Sequence, residues 1–327
     1  MILPATYVLP LRWRREEPLE EPTAYLRWLA ARMEVIVVDG SPPALFEHHH
    51  RAWRDIVTHV RPDPEFTFIS GKVNGVLTGM QLASHDLVVV ADDDVRYSEE
   101  ALRRTVDHLR HHDLVVPQNY FEPLVWHALW DTARTLLNRS VAHDWPGTLG
   151  VRRATLLSAG GYDGDVLFEN LELLRTVVAA GGSSVAPLDL FVRRLPPTTA
   201  QFWSQRVRQA YDEFARPPLL LGALAVVPAT VVLLARRRVD LLLSGAGVAV
   251  AVAETGRRRG SGTKVFPFSA SLMAPFWLME RALCSWAAVG QRIVLGGVRY
   301  GDVIMRRAAN SPRELRRRIG AYSSASP

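Results

Sequence analysis

Three consecutive acids, Asp92, Asp93 and Asp94, directly follow an apolar, β-branched run that ends at Ala91. If that run is a buried strand, the carboxylates emerge at its carboxyl end, and a turn after Asp92 brings Asp92 and Asp94 to one side. Two convergent carboxylates bind Mg2+ or Mn2+. A cation held there neutralises a diphosphate and stabilises it as a leaving group. Asp39 holds a comparable position in Val37-Val38-Asp39-Gly40-Ser41, where a carboxylate accepts hydrogen bonds from a nucleobase or ribose, or closes an Asx-turn. Lys72, in Ser70-Gly71-Lys72-Val73-Asn74, opens the next helix. It either reaches a phosphate or a base carbonyl, or stands in solvent. The run His48-His49-His50 invites a metal reading, but its polar surroundings and lack of a patterned partner place it on the surface.

These acids need elements to carry them. Residues 7–11, 34–38 and 86–91 are short, β-branched and each ends in a polar or turn residue, as buried parallel strands do. Between them, 23–32 and 72–83 have helical apolar spacing. The order β-α-β-α-β predicts an α/β fold with right-handed crossovers, whose ligands sit beyond the carboxyl ends of the strands. Further helices are expected over 98–110, with Ser98 as cap and Glu99 and Glu100 in the first turn, and over 126–137 and 169–180. A short strand is expected at 114–116.

Composition sets the remaining bounds. The chain has 327 residues, 48% of them apolar, and 39 Lys and Arg against 33 Asp and Glu, for a net charge of +6. The basic excess clusters around apolar stretches of the last third, which favours a membrane surface over nucleic acid. The single cysteine, Cys284, excludes an intramolecular disulfide framework and fits a cytosolic catalytic part. The first ten residues are too short and too proline-broken for a signal-peptide core. After Pro217-Pro218 the run 219–235 carries no charge and is long enough for a membrane helix; 241–253 is a second, shorter run. Residues 265–297 are apolar and aromatic but interrupted by Glu280, Arg281 and Arg292, as interfacial helices or a span with its charges facing protein would be. The expected division is an α/β domain over 1–216, membrane helices over 217–300 and a basic tail over 301–327. Two crossings would keep the tail on the catalytic side.

Taken in order, these segments resemble the family 2 glycosyltransferases of the GT-A fold, particularly membrane-bound members akin to ceramide and hopanoid glucosyltransferases. The resemblance covers most of the chain. It implies that Asp39 holds the nucleotide, that Gly71-Lys72 matches a donor-binding Gly-Lys step, and that Asp92 and Asp94 form an Asp-x-Asp metal motif. Gly160-Gly161-Tyr162-Asp163 matches a Gly-Gly-aromatic-Asp turn. The family's Glu-Asp-x-x-Leu and Gln-x-x-Arg-Trp correspond to Glu169-Asn170-Leu171-Glu172-Leu173 and Gln205-Arg206-Val207-Arg208-Gln209. Gln205 and Arg208 would then contact the donor, and Arg208 would steady the departing diphosphate. Asp144 and Trp145 would line an acceptor groove.

Two departures stand out. Asn170 replaces the family's general base and takes no proton at neutral pH, which passes that work to Glu169 or Glu172, three residues apart on one helix face. Gln209 replaces a tryptophan. The function expected is inverting transfer of a sugar from a nucleoside diphosphate donor, a UDP-sugar, to a lipid or polyprenyl hydroxyl at the cell membrane, with the catalytic domain in the cytoplasm. The rival is a catalytically weak, nucleotide-binding protein. A sugar nucleotidyltransferase would carry a glycine-rich loop after its first strand, and Leu11-Arg12-Trp13-Arg14-Arg15 is none.

Overall fold

The computed structural model describes residues 2–325. It resolves into two compact units. The first comprises the chain up to Pro117, Pro146–Ala186 and the segment from Asn310 onward; the second comprises Gln118–Trp145 and Pro187–Ala309. Composition alone suggests cuts near 217 and 301. The compact units divide the chain elsewhere, because the segment from Asn310 packs back on the first unit.

The first unit is built on β1 (Thr6–Leu11), β2 (Glu34–Asp39), β3 (Thr58–Val60) and β4 (Leu87–Ala91), all parallel and ordered β3-β2-β1-β4. The apolar β1, β2 and β4 are buried on both faces, as central parallel strands require, while β3 forms the edge. The chain moves outward from β1 to β3, then returns to the other side of β1. Strand order therefore reverses between β1 and β4, the switch point at which open α/β sheets bind ligands. Leu11 pairs with Asp39, and Val8 with Val90, so the ends of β1, β2 and β4 lie side by side.

Beyond β4 the sheet turns mixed. Thr148–Arg152 runs antiparallel to β4, Leu114–Val115 antiparallel to that strand, and Ser184–Val185 completes the seven. Thr148-Leu149-Gly150-Val151-Arg152 is too varied to stand out as a strand by periodicity. It is secured by its ladder to β4.

Helices α1 (Glu20–Ala30), α2 (Pro43–Trp53) and α3 (Gly71–Leu82) connect the first four strands. Ser70 caps α3, its hydroxyl accepting from the Val73 N–H. The helix then lies unusually close to β1: a Cβ at Gly75 would come within 2.9 Å of Pro10 Cβ, and one at Gly79 within 2.3 Å of Val8 Cγ1. Both glycines are needed as bare backbone. Val73, Val76, Leu77 and Met80 fill the layer between α3 and the sheet.

In the second unit, strands Gln118–Phe121 and Phe191–Arg194 pair in parallel. Helix Trp126–Val141 packs against helix Val239–Arg258 through small residues, with Ala133, Ala249 and Ala253 buried and a Cβ at Gly256 only 1.8 Å from the Leu136 carbonyl. Arg206 lies buried between Asp131, at 2.7 Å, and Glu280, so a charge that interrupts the last apolar segment faces protein. Two helices are long and apolar enough to cross a membrane, Pro217–Ala235 and Val239–Lys264. The first buries only Leu220 and exposes Leu219, Leu221, Val231, Val232 and Leu234.

The α3–β1 contact sets a clear expectation. Gly79→Ala gains about 1 kcal/mol of helix propensity but forces a methyl into Val8. Overpacking of about 1–3 kcal/mol wins, so the urea midpoint of the variant should fall.

Candidate functional site

The switch point gathers charge. Lys72, at the first turn of α3, places its Nζ 2.7 Å from Asp92 Oδ1 and 3.1 Å from Glu169 Oε1. Asn170 Oδ1 lies 3.5 Å away. The three charged side chains are partly buried, between 21% and 24% exposed. Burial alone would lower the lysine's pKa; Asp92 and Glu169 overcome it and raise the value above normal, so the ammonium is fixed. Burial raises the pKa of the nearby Tyr162 phenol. Lys72, Asp92 and Glu169 are all candidates on sequence, and the fold brings them together.

Asn170 has a local reason to be an amide. Its Nδ2 donates to the Pro146 carbonyl at 2.9 Å, a bond that a carboxylate at this position would turn into repulsion between two acceptors. Of these two neighbours only Glu169 carries a carboxylate, and it pairs with Lys72. Glu172 is not its equal. It is fully buried, and its two oxygens accept from the Asn310 side chain at 2.7 Å and the Asn310 backbone at 2.8 Å. Burial pushes its carboxyl above the ordinary range, with the Asn310 donors opposing. Its role is to hold the returning C-terminal segment.

Around the same edge, Trp13 Nε1 donates to Asp93 Oδ2 at 2.8 Å. Leu11, Trp13, Tyr25, Asp92, Asp93 and Arg96 line a pocket between the ends of β1 and β4. The acids outnumber the bases here: Asp92, Asp93, Asp94 and Glu169 stand against Lys72 and Arg12, which lies beside Gly71, while Arg96 is engaged by Glu21. A diphosphate entering this edge needs a further cation. Asp92 and Asp94 offer hard oxygen donors of the kind Mg2+ and Mn2+ accept, one or two carboxylates with substrate phosphates completing the shell. Among the described residues no third acid or imidazole joins them in a metal-sized cluster. The residues fit a cation shared with its substrate.

Asp39 departs from its expected place. Its carboxyl is fully buried; Oδ1 accepts from the Ser41 N–H at 2.8 Å, and Oδ2 meets His49 Nδ1 at 2.7 Å and His59 Nε2 at 3.3 Å. The Asx-turn is therefore formed, and neither oxygen is offered to a nucleotide. Burial opposes ionisation, but the His49, His59 and Ser41 donors hold the carboxyl far below its usual value. The surface reading of the histidine run is likewise corrected. His48 is partly exposed, yet His49 is fully buried on the inner face of α2. The spacing Phe46, His49, His50, Trp53 carries that signal at i, i+3, i+4, i+7.

Gln205 and Arg208 lie on helix Thr199–Tyr211 of the second unit, where the Arg208 guanidinium sits 5.4 Å from the Tyr300 ring. Gln209 accepts from Arg206 at 3.1 Å. Asp144 lines no open groove: it is buried and accepts from Thr135 at 2.6 Å and Asn138 at 2.8 Å.

Residues 23–154, from α1 through the strand antiparallel to β4, match the family model for glycosyl transferase family 2. Over that segment the chain is similar to glycosyl transferase family 2. The mannosyltransferase PcManGT from Pyrobaculum calidifontis, solved with GDP-Man and Mn2+, is similar in fold, at 16% identity, with 88% of each chain covered and a TM-score of 0.56. A glucosyl-3-phosphoglycerate synthase from Mycobacterium tuberculosis, solved with Mn2+, UDP-glucose and phosphoglyceric acid, aligns at 20% identity over 61% of this chain and 74% of that one, with a TM-score of 0.41. TarS from S. aureus, solved with UDP-GlcNAc, aligns at 12% identity over 61% and 60%, also at 0.41. The fold likeness rests on the first. Comparison with curated proteins finds no match. The fold is thus a GT-A-like mixed α/β architecture, followed by apolar helices that could span a membrane.

Two expectations concern the acids behind the site. Glu172→Gln turns one oxygen into a donor facing Asn310 donors, so it should lower stability by about 1–3 kcal/mol in urea unfolding. Asp163 is held below its ordinary value of 3.8: burial raises it, but the Asp165 N–H, Arg318 at 2.6 Å and Asn310 at 2.8 Å prevail. A depressed carboxylate stabilises above its unfolded pKa. The stability lost in Asp163→Asn should therefore be constant at neutral pH and shrink as pH falls below about 4.

Proposed function

We propose that the chain is an inverting glycosyltransferase that moves a sugar from a nucleoside diphosphate donor, a UDP-sugar, to a lipid or polyprenyl hydroxyl at the cell membrane, with its catalytic domain on the cytoplasmic side. The observation that carries this is the Lys72–Asp92–Glu169 cluster at the switch point of a family 2 domain. Mn2+ or Mg2+, held by Asp92 and Asp94 together with donor oxygens, would supply neutralisation of the diphosphate. Glu169 takes the acceptor hydroxyl's proton as its oxygen attacks the anomeric carbon and the bond to the diphosphate breaks. Lys72 holds Glu169 beside the donor acid and, with both carboxylates on it, keeps that end of α3 ordered. The resemblance adds Gln205 and Arg208 to the donor's phosphate contacts. The membrane acceptor is supported by the exposed apolar face of Pro217–Ala235, a patch of the kind soluble monomers seldom present.

A second reading, nucleotide binding without efficient transfer, is favoured by Asn170. One experiment separates the two. Radiolabelled UDP-sugars are offered to the detergent-solubilised chain with Mn2+ and a polyprenyl phosphate or glycolipid extract, and transfer to the organic phase is counted. Asp94→Ala should abolish metal-dependent transfer. Glu169→Gln should cut kcat by about 10²–10⁴-fold, as loss of a general base does, with donor binding retained. Donor binding with no transfer by the unaltered chain would favour the second reading; unchanged activity of Asp94→Ala would remove the metal assignment.

A further inference from the structure

The acid and two imidazoles buried beneath the site are not used by this chemistry, and they form the one group among the described residues whose donor atoms cluster as metal ligands do. Asp39 ends β2, His49 lies on α2 and His59 sits in β3, the short edge strand. Asp39 and His49 are fully buried and His59 is 5% exposed. One ligand atom from each falls within 4.8 Å of the others. We propose that Asp39, His49 and His59 bind a borderline transition metal, Zn2+ being the best suited, at a structural site distinct from the donor's cation.

The donor set selects the metal. Two imidazole nitrogens and one carboxylate oxygen suit Zn2+, whereas Mg2+ and Mn2+ favour oxygen. Ligands about 2.0–2.1 Å from a tetrahedral ion lie roughly 3.3 Å apart. His59 Nε2 is already 3.3 Å from Asp39 Oδ2, and His49 Nδ1, at 2.7 Å, needs to retreat by about 0.6 Å. A supporting shell is also in place. His50 Nδ1 meets the far nitrogen of His59 at 3.0 Å, and the Ser41 N–H holds the other oxygen of Asp39; such partners fix the ligands' orientation. The Trp13 and Trp53 rings lie 4.9 Å from that of His49 and wall it from water. The ion would join β2, α2 and β3. Since Asp39 stands beside Leu11 in the sheet and the Gly40 N–H donates to the Leu11 carbonyl at 2.8 Å, it would also fix the loop beside the donor pocket.

The test is metal content and linked stability of the full chain, purified without an affinity tag. Elemental analysis by plasma mass spectrometry should find about one zinc per chain, held by the three side chains with a fourth position left to a small ligand such as water. His49→Ala and His59→Ala should each lose it; His48→Ala, next door but partly exposed, and Asp94→Ala, in the donor site, should keep it. As a check independent of variant folding, the unaltered chain stripped with EDTA should regain its thermal midpoint on adding Zn2+, and with Co2+ should show the visible absorption of a tetrahedral ion. Zinc retained in both His49→Ala and His59→Ala overturns the site. So does an unaltered chain that carries no zinc and whose midpoint does not respond to Zn2+, which would leave the cluster held by hydrogen bonds alone.

Discussion

The ammonium of Lys72 holds together three parts of the chain that are far apart in sequence: the start of α3, the end of β4 and the helix beginning at Glu169. Removing a partner from such a partly buried cluster leaves charge without compensation, which costs more than the pair itself contributes. The position of Lys72 depends in turn on α3 lying against β1, and that approach exists only because Gly75 and Gly79 carry no side chain. Sheet, helix and site are thus coupled through a single close contact. It explains why Asp92 and Glu169 share one ammonium instead of each having its own.

The electrostatics of the site are lopsided. Its acids exceed its bases, and a nucleoside diphosphate would add more negative charge. In the proposed function a divalent ion would remove this conflict, with the donor's own oxygens completing its shell.

Much of this was legible from residue order. The β-branched runs mark β1, β2 and β4 to within a residue or so, Ser70 and Ser98 mark helix starts, and the aspartates after Ala91 mark the ligand edge. What escaped depended on contacts distant in sequence. Thr148–Arg152 owes its strand to β4, and its own pattern is indistinct. Asp39 resembles a nucleotide ligand because its partners His49 and His59 lie ten and twenty residues away. Glu169 and Glu172 are equivalent on a helical wheel; only Asn310, from the far end of the chain, tells them apart. Asn170 reads as a loss until the Pro146 carbonyl supplies its hydrogen-bond partner.

The return of Asn310 bears on how the protein is made. The first unit has its strands early in the chain, yet Glu172 and Asp163 receive their partners Asn310 and Arg318 only after the apolar helices have been synthesised. A chain emerging from the ribosome therefore exposes Pro217–Ala235 before the domain upstream of it can close. Completion of the first unit thus waits for the segment from Asn310, which acts as its clasp.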